Sequence, residues 1–142
     1  RYPSLAIRES ERITGSFTPA APDQTDVAPV ASAEELSAIV ADARESHRRF
    51  VAAEPSATRL VRAAGGLGIE SEAHSRAMVA LADLSSLHGQ TAIALGNLDG
   101  LEAKAGTTLA PVDDIKAAQG EIAALFSEQE TVIERLSAEM TR

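Results

Sequence analysis

Cysteine and tryptophan are both missing from this 142-residue chain, and aromatic residues make up only 3% of it, one tyrosine and three phenylalanines. The lack of cysteine excludes disulfides, thiol catalysis and sulfur-ligated metals. The shortage of aromatics turns the reading away from a β-sandwich, whose strands favour aromatic and β-branched residues. Basic residues are also in deficit: 13 Lys and Arg stand against 21 Asp and Glu, a net charge of −8. A protein that binds phosphates needs a basic surface to displace counterions, so no nucleic-acid partner is expected. No apolar run approaches the roughly 18–20 residues needed to cross a bilayer, so no transmembrane helix is expected.

What the chain does have is alanine, leucine, isoleucine and valine, which make up most of its 44% hydrophobic content. That mixture suits close-packed helices, and the length suits one domain with a single modest core. Residues 1–31 differ from the rest. They hold four of the six prolines, Pro3, Pro19, Pro22 and Pro29. Proline fixes φ and restricts its predecessor, so this arm is expected to be extended and without ladder bonds. Such a segment is either a flexible linker or an arm that lies on a surface, its own bundle or a partner. Ordering it costs roughly 1–2 kcal/mol per residue, and its apolar anchors are sparse. Tyr2, Leu5, Ile7 and Phe17 are the candidate partner-binding residues, because aromatic and aliphatic anchors dominate binding energy.

Three amphipathic segments follow, expected over about residues 32–64, 71–104 and 111–141. Ser32-Ala33-Glu34-Glu35 reads as a capping box, and Leu36, Ile39, Val40, Ala43, His47 and Phe50 then recur at helical spacing. Pro55 interrupts, and the stripe resumes with Ala57, Leu60, Val61 and Ala64, which predicts a kinked continuation up to Gly65-Gly66. The second stripe includes Ala77, Leu81, Leu84, His88, Thr91, Leu95 and Leu98, with a turn expected at Gly106 to Thr108. The third is the most regular heptad: Ile115, Ala118, Ile122, Leu125, Gln129, Val132, Leu136, Met140. The fold class is therefore all-α, an elongated antiparallel three-helix bundle (residues 32–142) behind an extended proline-rich N-terminal arm. The other arrangement is a long hairpin of the second and third helices with the first packed at its open end.

Motifs that would carry chemistry are weak. His47 and His88 lie on apolar stripes, but no two histidines stand at i,i+4 and no HExxH occurs, so no metal is expected. Glu-x-x-His, the ligand pair of di-iron bundles, is also missing. The carboxylates of helix three read as a solvated face. Arg44, Arg48, Arg49, Arg59 and Arg62 make helix one locally basic, which fits complementarity to acidic helix three, each exposed pair contributing a few tenths of a kcal/mol, or a patch for an anionic ligand. Gly96-Asn97-Leu98-Asp99-Gly100 is a small-xxx-small sequence that suggests close helix packing or a weak point in a long helix. No cofactor is expected, and no catalytic residue stands out.

The opening Arg1-Tyr2-Pro3-Ser4-Leu5-Ala6, the Ala/Pro-rich spacer and the alanine-rich helices together resemble exported, lipoprotein-like helical proteins of alphaproteobacteria. The resemblance spans the chain loosely, and its sharp part is Tyr2 to Ala6. It implies a processed N-terminus with an anchoring segment upstream of Arg1, and a periplasmic or outer-membrane-associated location. It implies no activity and no site residues. The expectation is a non-enzymatic periplasmic accessory or scaffold protein that binds a larger protein assembly through its arm. The alternatives are a self-assembling helical structural protein paired through the helix-three seam, or a small-ligand carrier or enzyme with a pocket near His47 and His88.

Overall fold

A computed structural model describes residues 27–142, so the arm anchors Tyr2, Leu5, Ile7 and Phe17 lie outside the described residues. Three helices follow one another: α1 (Ala33–Ala64), α2 (Glu72–Thr108) and α3 (Asp113–Met140), with no strand among the described residues. Among the described residues no helix is long and apolar enough to cross a membrane.

The ends of these helices follow from local chemistry. Ser32 is the N-cap of α1, its Oγ accepting the Glu35 N–H at 3.1 Å, with Glu34 and Glu35 set against the positive helix end. Gly65 and Gly66 stop the helix, and Gly66 takes φ +78°, a left-handed conformation that glycine adopts without a Cβ clash. Ser71 caps α2 in the same way through the His74 N–H at 3.1 Å. Pro55 lies inside α1, which runs through it unbroken. The proline is on the exposed side of the helix, so water can take the carbonyl that its missing N–H leaves free.

One boundary differs from the sequence reading. The expected turn at Gly106 to Thr108 is still helical, and the chain reverses one step later at Leu109, φ 56°. Two observations account for the extra turn. Ala105 is fully buried against the rest of the bundle, and the Thr107 and Thr108 hydroxyls donate back to the Lys104 carbonyl at 2.9 and 3.0 Å.

Buried side chains form two clusters that define the topology. One joins Leu36 and Ala43 of α1, Ala94, Leu98 and Ala105 of α2, and Ile115, Ala118 and Ile122 of α3. The other joins Phe50, Ala57, Val61 and Ala64 with Ala77, Leu81 and Leu84, and with Leu136. The start of α1 thus meets the end of α2 and the start of α3, which is up-down-up packing. Because α1 contributes to both clusters, it lies along the hairpin of α2 and α3 rather than at its open end. Val27, Val30 and Ala31 pack on the first cluster, extending the core past the helix cap.

Candidate functional site

Between the two apolar clusters lies a layer built differently. Gln129, in the middle of the α3 heptad, is completely buried, as is Thr91 of α2, and Ser46 of α1 is nearly so. Each helix supplies polar groups at the same level of the bundle, so the layer crosses it from side to side.

Gln129 is the hub. Its amide lies between two imidazoles, with Oε1 3.1 Å from His88 Nδ1 and Nε2 3.2 Å from His47 Nδ1. An amide oxygen accepts and an amide nitrogen donates, so this placement sets both tautomers. His88 donates from Nδ1, and His47 accepts at Nδ1. The proton of neutral His47 therefore sits on Nε2, which is 3.3 Å from Glu128 Oε2 on the exposed side of α3. The result is a chain across the bundle: Gln129 accepts from His88 and donates to His47, whose outer ring nitrogen faces the Glu128 carboxylate. Both rings are also held by aromatic neighbours. His88 stacks on Phe126 with centroids 4.1 Å apart, and His47 lies parallel to Phe50 at 6.4 Å.

A second pair completes the layer on the α1–α2 side. Ser46 Oγ donates to Gln90 Oε1 at 2.8 Å, and Thr91 Oγ1 donates to its own helix at the Leu87 carbonyl, 3.4 Å away. No buried side-chain nitrogen or oxygen lacks a partner among the described residues.

Around His47 the arrangement is chemically closed. A carboxylate–histidine pair, Glu128–His47, resembles half of a general-base system, but the nitrogen that would take a proton is occupied by the Gln129 amide. The nearby hydroxyl of Ser46 is committed to Gln90 rather than to an imidazole. Neither His47 nor His88 lines the open grooves along α1–α2 or α1–α3. The α1–α2 groove, about 370 Å³, instead exposes Asp42, Glu45, Arg49, Gln90 and Asn97. Among the described residues no three His, Asp or Glu side chains converge as a metal site would require.

Three of the five α1 arginines form ion pairs, of two kinds. Arg44 reaches Glu121 of α3 at 2.5 Å, a cross-helix pair of the expected complementary kind, and Arg135 of α3 reaches Glu54 of α1 at 3.1 Å. Arg48 and Arg49 instead turn to Glu45 on their own helix at 2.7 and 3.1 Å. The hydrogen bond from Arg48, assisted by Arg49, holds the Glu45 carboxyl down to about 2.

The sequence reading singled out His47, His88 and Gln129 without placing them together. It missed Ser46 and Gln90, whose neighbours in the chain give no signal that they border a buried layer, and it read Glu128 as part of a solvated face, where it is indeed exposed. It also offered the α3 heptad as a seam between copies. Ile115, Ala118, Ile122, Gln129 and Leu136 are buried within the chain's own bundle, so pairing through them would require the bundle to open. Comparison of the chain with protein-family models, curated proteins and solved structures finds no match. The fold and the layer therefore define a class, a three-helix bundle with one buried polar layer, and function must be argued from the molecule itself.

Proposed function

We propose that this is a non-enzymatic accessory or scaffold protein of the periplasm, in which the bundle is a rigid body and the N-terminal arm holds a larger protein assembly. The observation that carries this reading is the polar layer that ties the three helices together at the middle of the bundle. The side chains best suited to chemistry bind one another across three helices, and fully satisfied networks of this kind rigidify a core. Such rigidity suits a spacer or adaptor. The arm offers Tyr2, Leu5, Ile7 and Phe17 as anchors of the type that dominates binding energy.

The test is recovery of protein partners by the full chain against two variants. In one, Tyr2, Leu5, Ile7 and Phe17 are all replaced by alanine. In the other, residues 1–26 are removed, stopping short of Val27, Val30 and Ala31 because these pack on the core. Loss of the same partners from both variants is the expected result. Undiminished recovery by both ends the proposal.

A further inference from the structure

The outer side of α2 is unlike the outer sides of its neighbours. Its core-facing residues include Ala77, Leu84, Ala94 and Leu98. At 100° per residue, the opposite arc is centred on Gly89 and carries Met78, Ala82, Gly89, Ile93, Gly96 and Gly100. From Ser75 to Ala103 this arc holds no Asp, Glu, Lys or Arg, whereas a solvated helix face is ordinarily charged. Met78 and Ile93 are 49% and 66% exposed there, and Val79, on the flank of the arc, is 62% exposed.

The glycines make the same point from the backbone. Gly89, Gly96 and Gly100 each cost up to ~1 kcal/mol relative to alanine in a helix. Yet a Cβ added at any of them meets nothing within 4 Å, and none has a positive φ. Close packing inside the bundle, the sequence-based reading of Gly96 and Gly100, does not account for them.

We infer that the outer face of α2 is covered by the same face of a second copy, the two α2 helices packing antiparallel with Gly89 near the two-fold axis. The pattern is self-complementary, as an isologous interface requires. Antiparallel pairing about Gly89 sets Met78 against the partner's Gly100, Ala82 against the partner's Gly96 and Ile93 between the partner's Ala82 and Ser86, bulky residues meeting small ones. Lys104, the charged residue at the end of the stripe, arrives beside the partner's Glu72. Net charge narrows the choice further: two chains of −8 each repel through most approaches, and this face brings no carboxylates together. The strip is ~42 Å long and ~10 Å wide, so the two copies cover about 840 Å² before the flanks are counted. That is below the range of standard stable interfaces, so a weak, concentration-dependent dimer is expected.

Sedimentation equilibrium of the full chain, from about 1 µM to 1 mM, tests the inference. A monomer–dimer equilibrium is expected, with the dissociation constant raised about tenfold or more by Ile93→Glu, which buries a charge, and by Gly96→Leu, which blocks close approach. Circular dichroism checks that each variant keeps its helix. Should Gly96→Leu lose it, Gly96→Ala takes its place. Because the chain has no cysteine, Gly89→Cys is a single reporter: mild oxidation should cross-link it at the axis, while Glu130→Cys on exposed α3 should not. A strict monomer at every concentration overturns the inference, as does a dimer indifferent to Ile93→Glu. So does protection of Gly89→Cys from a maleimide in the dilute monomer, which would mean that the chain's own arm covers the face.

Discussion

Replacing Gln129 by leucine is the sharpest perturbation of the bundle, since the two side chains differ little in volume and greatly in chemistry. The substitution deletes both hydrogen bonds of the hub, at 3.1 and 3.2 Å, and leaves His47 Nδ1 and the His88 Nδ1–H facing methyl groups. Each orphaned group costs about 1–3 kcal/mol, so the pair costs roughly 4 kcal/mol. Burying leucine in place of an amide returns about 2 kcal/mol. Gln129→Leu should therefore destabilise the bundle by about 2 kcal/mol. The triple change that also makes His47 and His88 leucine removes every orphan, and should return to within ~1 kcal/mol of the parent or exceed it. Urea unfolding followed by circular dichroism measures both, the midpoint moving while the slope stays constant. Gln129→Leu at parental stability, or a triple variant weaker than the single one, would refute the view that the amide is a satisfied bridge between the two rings.

Leu98 is fully buried, so Leu98→Ala should lower stability by roughly 2–5 kcal/mol, and the half-buried Leu125 should lose distinctly less; equal losses in urea titrations would mean that α3 is rotated. Ser32→Ala removes the cap bond to Glu35 at 3.1 Å and should cost about 1 kcal/mol, with hydrogen exchange rising first in the opening turn of α1. The Glu45 carboxyl, held to about 2 by Arg48, should titrate there by carbon-13 NMR in low salt and move up towards the ordinary carboxylate range in Arg48→Gln or high salt. Because its folded value is depressed, the contribution of that pair is present above the unfolded value and lost as pH falls through about 2. Finally, Gly89, Gly96 and Gly100 changed together to alanine should add up to ~3 kcal/mol of stability to the dilute monomer, seen as a higher thermal midpoint, while weakening association in the sedimentation assay. A fall in monomer stability would show that the glycines serve the bundle itself.

Most of the architecture was legible because its signals are local. The stripe from Leu36 to Phe50, the serine cap at Ser32 and the Gly65-Gly66 stop each act within one or two turns of chain, and these appear where expected; of the capping box, the Ser32 half forms. The end of α2 was not legible, since Gly106-Thr107-Thr108 has turn composition. What prolongs the helix is the burial of Ala105 against other elements, a tertiary effect that outweighs propensity. The polar layer was half legible for the same reason. His47, His88 and Gln129 each stand out as polar residues on an apolar stripe, but their meeting depends on how far the three helices slide past one another, which no single stripe encodes. Ser46 and Gln90 look like ordinary surface residues until that sliding is known.

That sliding is what the layer itself constrains. Alanine and leucine stripes are nearly self-similar under a shift of three or four residues, so apolar burial alone distinguishes poorly between neighbouring registers. The cross-helix pairs Arg44–Glu121 and Arg135–Glu54 are solvent-exposed and contribute little to the choice. Moving α3 by one turn would carry Gln129 about 5.4 Å along the axis, away from both imidazoles and into one of the apolar clusters. A buried amide without partners costs several kcal/mol, more than any of the surface pairs can offset. A single glutamine on α3, read by one histidine from each of the other helices, thus separates the native register from its neighbours and gives the bundle the fixed axial alignment that its leucines and alanines do not specify.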